Sequence, residues 1–159
     1  MRFSLIDRIT EVKPGESIVT TKNSSIAEEY LSDHFPGFAV MPGVLMLEAM
    51  TQSAAWLIRI TDDFKDSLVT LSEAKNVKYI HFVTPGETLA INISIIKREG
   101  QLTTVKAEGH VGDRMALSAR LVMKSYNISD SIPSKEWKDR DLIENMKKLY
   151  HILLPVGWE

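Results

Sequence analysis

The chain predicts an α+β domain in which a curved antiparallel sheet wraps one long buried helix. Residues 42–60 are apolar on nearly every face, the mark of a helix surrounded by other structure rather than one lying on a surface. Residues 68–83, 87–97, 102–112 and 114–125 are rich in Val, Ile, Leu and Thr and partly alternate, as strands do. The short breaks between them, Thr84-Pro85-Gly86-Glu87, Arg98-Glu99-Gly100-Gln101 and Gly112-Asp113-Arg114, join neighbouring strands antiparallel. A sheet curved around the helix buries both patterns at once.

Taken in order, residues 3–12 and 16–23 predict two strands, joined by Lys13-Pro14-Gly15-Glu16 with Pro where φ is fixed and Gly after it. Residues 24–31 predict a short helix with a Ser N-cap and acids in its first turn. Pro42 opens the long helix, where its missing N–H costs nothing. A polar loop at 61–67 precedes the second set of strands. Residues 127–134 form a turn or linker, and the tail from Lys135 to Leu154 places Leu142, Ile143, Met146, Leu149, Tyr150 and Leu153 at helical spacing. We divide the chain into a core domain at 1–126 and a helical extension at 127–159. The extension predicts packing on its own domain or on a neighbouring subunit. Its polar face mixes acids with bases, which disfavours a membrane surface.

Composition narrows the function. A length of 159 residues fits one domain with a small appendage, and 44% hydrophobic residues support a real core. The net charge of −2 argues against a dedicated nucleic-acid binder. Cysteine is absent, which removes disulfides, thiolate metal sites and cysteine nucleophiles together, and four scattered histidines make a poor zinc site. The N-terminus has charges at Arg2, Asp7 and Arg8 and no apolar core of a signal peptide. The apolar run at 40–60 carries Glu48 at its middle, so it predicts a buried helix, no membrane span and a cytoplasmic protein.

The run HFPGFAVMPGVLMLEAMTQ, residues 34–52, holds the chemistry. A carboxylate on a buried helix face costs several kcal/mol unless paired or protonated. Glu48 therefore either reaches solvent, pairs with Gln52 one turn on, or acts as an acid, since a desolvated carboxyl stays protonated to higher pH. His34 beside a Pro-Gly turn is either a satisfied structural residue or a base near neutral pH. Gly43 opens the long helix, where free N–H groups and the macrodipole favour developing negative charge, as an oxyanion hole does. A base, an acid and an oxyanion donor are the parts needed to remove a proton α to a thioester carbonyl and expel a β-hydroxyl.

These residues carry a resemblance. His34-Phe35-Pro36-Gly37, Met41-Pro42-Gly43-Val44-Leu45, Glu48-Ala49-Met50 and Gln52 resemble the signature of the FabZ-type 3-hydroxyacyl-acyl-carrier-protein dehydratases, members of the hotdog fold. Lys75 to Leu89 (KNVKYIHFVTPGETL) is similar to that family's second block, and the likeness covers about residues 3–125. The resemblance implies two such units paired into a continuous sheet, with the site at the dimer interface. His34 would abstract the α-proton, Glu48 of the other subunit would protonate or orient the departing hydroxyl, and the Gly43 N–H would bind the thioester carbonyl. It implies acyl carrier protein as partner, a homodimer or a trimer of dimers, and no cofactor or metal. Glu48 rather than Asp favours dehydration without isomerisation.

Several residues keep two readings. Phe35, Met41 and Phe82 line an acyl tunnel or pack in the core. Lys75, Lys78, Lys97 and Arg98 form a positive rim for an acidic carrier protein or are merely solvated. His81 and His110 are surface or wall residues. Ala39 stands where the family commonly has Pro, and Thr51 replaces a small apolar residue. A thioesterase or enoyl-CoA hydratase on the same fold, or a non-catalytic acyl-thioester binder, are the competing functions.

Overall fold

The computed structural model describes residues 3–35 and 37–157; Pro36, within the first motif, and Arg2 lie outside them. Six strands form one antiparallel sheet: β1 (Arg8–Lys13), β2 (Ser17–Asn23), β3 (Leu68–Tyr79), β4 (Thr88–Glu99), β5 (Leu102–Val111) and β6 (Arg114–Tyr126). Their spatial order is β1-β2-β4-β5-β6-β3. Three helices complete the chain: α1 (Tyr30–Asp33), α2 (Gly43–Thr61) and α3 (Glu136–Leu153).

Period-two patterning sets which face of the sheet meets the helix. Leu89, Ile91 and Ile93 of β4, Val105 and Ala107 of β5, and Leu117, Ala119, Leu121 and Met123 of β6 are all buried. They close on Met46, Ala49, Met50, Ala54, Leu57 and Ile58 of α2, which packs against β2 through β6. The predicted architecture, a curved sheet around one long helix, is what forms. Both predicted Pro-Gly turns form too: Glu16 N donates to Lys13 O at 3.0 Å and Glu87 N to Thr84 O at 3.1 Å. Gly15 and Gly86 take φ of 79° and 88°, values that follow Pro in such turns and suit glycine.

Two expected elements differ. The first strand begins at Arg8 rather than at residue 3, because Leu5 N donates to Gln52 Oε1 at 2.9 Å and Leu5 and Ile6 bury in the core. Those contacts hold residues 3–6 beside α2 and outside the sheet. The short helix expected at 24–31 shrinks to the single turn of α1. Ser25 Oγ accepts from Ala27 N at 3.2 Å and so stabilises a local turn in place of a helix N-cap. Glu28 pairs with Lys22 at 2.6 Å.

The C-terminal helix packs on its own domain. Two 3₁₀ turns, Ile128–Asp130 and Pro133–Lys135, lead into it. Asp139 anchors its first turn by accepting from the Ser67 hydroxyl and from the N–H groups of Ile128 (2.8 Å) and Ser129 (2.9 Å). At the other end Tyr150 stacks on Trp56 with ring centroids 6.2 Å apart, and Leu153 is buried. Burial opposes ionisation of Asp139, but the hydrogen bonds from Ser67, Ser129 and Ile128 outweigh it and hold the carboxyl below its ordinary range. A folded-state value below the unfolded one of about 3.9 means that this anchor is fully present above about pH 4 and lost as the pH falls further. Asp139→Ala should therefore make α3 the first site of tryptic cleavage at neutral pH, at Arg140 or Lys147, with the sheet amides still protected from exchange. Proteolysis with mass readout checks it.

Candidate functional site

His34 follows α1 directly in an extended conformation, with φ −112° and ψ 100°. Its Nδ1 lies 3.1 Å from the Val40 carbonyl. A carbonyl only accepts, so Nδ1 carries the proton and Nε2 of the neutral ring is left with its lone pair. The acceptor is itself fixed, because Val40 and Met41 are buried and Met41 N donates to Val83 O at 2.8 Å.

His34 opens onto a cleft of about 370 Å³ walled by Phe35, Met41, Gly43, Tyr79, His81 and Phe82. All three expected tunnel residues line it: Met41 as buried core, Phe35 and Phe82 as exposed walls. Phe82 meets Phe38 edge-on at 5.6 Å. Gly43 is the first residue of α2, and the first N–H groups to bond back are those of Leu45 and Met46, both to Pro42 O. The Gly43 N–H is thus among the unpaired donors of the helix start. A Cβ at this position would stand 3.0 Å from the Tyr79 ring, so glycine is what lets the wall approach. Gly43→Ala should displace the half-exposed Tyr79 ring into the cleft and raise KM several-fold, with a smaller change in melting temperature; steady-state kinetics beside calorimetry check it.

Glu48 belongs to a different cleft. It is half-buried in a groove of about 520 Å³, with Thr51, Gln52, Trp56 and Arg59 of α2 on one side and Met146 and Leu149 of α3 on the other. Gln52 Nε2 donates to Glu48 Oε1 at 3.0 Å. Gln52 is held in turn by Leu5 N and Phe3 O, so one carboxylate oxygen is oriented and Oε2 keeps no partner among the described residues. The pairing with Gln52 weighed from the sequence is present, and it leaves the acid accessible. Drying of this carboxylate is incomplete in a single protomer.

One protomer keeps His34 and Glu48 apart. From Gly43 to Glu48 is five positions, about 140° around the helix. Gly43 and Met46 face the His34 cleft, while Glu48, Gln52, Ala55 and Arg59 face the other. Among the described residues the edge strand β3 pairs only with β6, and most of its residues are exposed. It is kinked by bulges at Leu71/Glu73 and Lys75/Lys78, the second holding Asn76 at φ 52°. Beside it, around His34, Phe35 and Phe82 are 54% and 60% exposed, an apolar patch next to a free sheet edge.

The basic residues lie elsewhere. Lys75 and Lys97 line a shallow depression on the sheet and pair with Glu73 and Glu99. Arg98 pairs with Asp62. Lys78 is exposed and, among the described residues, without an ion pair, next to Tyr79 of the His34 cleft. None of the four lines that cleft. His81 does line it, and His110 lies half-buried on β5 opposite Ala90. Sequence reasoning did not single out the Val40 carbonyl, whose role depends on how the loop after His34 folds back, or Tyr79, which meets Gly43 only when helix and sheet assemble. It also missed Arg59, and the signal that could have found it is its place on the same helix face as Glu48.

Comparison with known proteins gives the family and supports the fold. A family model described as a FabA-like domain matches residues 1–120. A 3-hydroxyacyl-[acyl-carrier-protein] dehydratase FabZ of Levilactobacillus brevis is 40% identical over 127 residues, covering 80% of this chain and 86% of that protein. The FabZ of Clostridium kluyveri is 34% identical over 120 residues, covering 76% and 83%. The dehydratase heterocomplex ApeI:P of Xenorhabdus doucetiae shares the fold, with a TM-score of 0.66 at 17% identity over 83% of this chain and 89% of that one. The chain belongs to the FabA-like family, a hotdog-fold family. Within it, the curated relatives make it a member of the FabZ type.

Proposed function

We propose that the protein dehydrates (3R)-3-hydroxyacyl-acyl-carrier-protein to the trans-2-enoyl thioester, in fatty-acid biosynthesis or a related lipid pathway, at a site shared between two copies of the chain. The observation that carries the composite site is the division of His34 and Glu48 between two clefts on opposite sides of α2. Pairing two copies through the free edge of β3 and the apolar patch beside it covers both and lets the His34 cleft of one copy meet the Glu48 groove of the other.

In this reading His34 Nε2 takes the α-proton. The electron pair of that C–H bond becomes the second bond between Cα and Cβ, and the C–O bond at Cβ breaks. The hydroxyl leaves as water with a proton from the partner subunit's Glu48. The Gly43 N–H donates to the thioester carbonyl as negative charge builds there. Proton return from the imidazolium to the carboxylate resets the site, and no cofactor enters the proposal.

Lys78 is the best-supported of the four docking candidates for an acidic carrier protein, being exposed, unpaired and one residue from the cleft wall. The assembly proposed is a dimer, with three dimers forming a hexamer, and light scattering distinguishes the two masses. Among the described residues no helix is long and apolar enough to cross a membrane; a cytoplasmic location is part of the proposal. The test of the activity is growth of enoyl-thioester absorbance on mixing the protein with a 3-hydroxyacyl carrier protein. Free thiol without enoyl product would mean a thioesterase, and binding without turnover a non-catalytic acyl-thioester carrier.

A further inference from the structure

The Glu48 groove contains a cation that the dehydration does not use. Ser4, Glu48, Thr51 and Gln52 in its lining all have hydrogen-bond partners in the chain. Among the described residues the side chains of Arg59 and Asn145 have neither a hydrogen bond nor an ion pair, and Arg59 Nε is a buried donor with no acceptor. The guanidinium rests on the Trp56 ring at 5.9 Å. Burial pulls it down to about 10, and it stays charged at neutral pH.

Positions 48, 52, 55 and 59 fall on one helix face, so Glu48 and Arg59 mark two points of one groove, about 16 Å apart along α2. The wall between them is largely apolar: Ala55, Trp56 and Val69, with Met146 and Leu149 contributed by α3 as a roof. An extended chain advances about 1.2 Å per bond, so this span takes about 13 bonds, fewer where the Arg59 side chain reaches back. Water hydrates the guanidinium while the groove is open. A methyl-ended chain that filled the groove would expel that water and strand an unpaired cation. A carboxylate at the chain end would instead meet the planar fork with two charge-assisted hydrogen bonds.

We propose that Arg59 selects 3-hydroxyacyl chains that end in a carboxylate, bound from Glu48 along the α2–α3 groove to the guanidinium. This rests on the dehydratase reading above. The test compares wild type and Arg59→Met on synthetic 3-hydroxyacyl-pantetheine thioesters of matched length, ending in a carboxylate or in a methyl group. A 3-hydroxybutyryl thioester, too short to reach Arg59, is run with wild type alone. Wild type should favour the carboxylate-ended chain in kcat/KM by about tenfold or more, the worth of a charged hydrogen bond, and Arg59→Met should prefer the methyl-ended one. A wild-type ratio of one or below overturns the proposal whether or not the variant folds, as does an unchanged ratio in a folded Arg59→Met. Wild-type turnover of the short thioester then leaves the dehydratase reading standing. Its absence overturns that reading and this proposal together.

Discussion

Replacing His34 with Ala should lower kcat/KM for dehydration by about 10²–10⁴, the usual worth of a positioned general base. The loss should be in kcat, because the Gly43 N–H and the cleft walls that are proposed to hold the thioester stay in place. His34 is half-exposed and, among the described residues, its side chain's one hydrogen-bond contact is with the Val40 carbonyl, so the variant should keep its fold. The next N–H along, that of Met41, stays bonded to Val83 O and holds the segment in place without the imidazole. Enoyl absorbance beside a melting curve separates loss of chemistry from loss of structure.

Glu48→Gln is the second large effect. The amide can keep its carbonyl oxygen on Gln52 Nε2, where Glu48 Oε1 now accepts at 3.0 Å, so the side chain holds its place. It can orient the departing hydroxyl but cannot protonate it, and kcat should fall by about 10²–10³ within the range for general acids. In the proposed mechanism base and acid work on one elimination, so the double variant should lose little more than the worse single one. A product of the two separate losses would mean that the residues act independently. Single-turnover rates of the three variants decide between these outcomes.

The central helix was legible because its apolar residues surround it, a pattern that only burial within a fold explains. The strands of the second half were legible because their alternation and Gly-containing turns agree. Side-chain hydrogen bonds to the backbone hid the rest. Gln52 holds Leu5 outside the sheet, and the Ser25 hydroxyl closes a turn where a helix was expected. The site residues stood in one short run, yet that run does not say that Gly43 and Glu48 point into different clefts until helix and sheet are assembled. Arg59 lies eleven residues past Glu48 on the same face. Its meaning depends on α3, whose Met146 and Leu149 arrive from far along the chain and cannot be placed by spacing alone.

The composite site is tested most directly by mixing subunits. His34→Ala and Glu48→Gln chains, each inactive alone, are unfolded and refolded together so that mixed dimers form. A mixed dimer has one site with His34 from one chain and Glu48 from the other, and one site with neither. Sharing across the interface predicts that activity returns, to about half the wild-type rate per mixed dimer, with one working site in two. No recovery, in a mixture shown by mass to contain mixed dimers, would contradict the account and put both residues to work within a single chain.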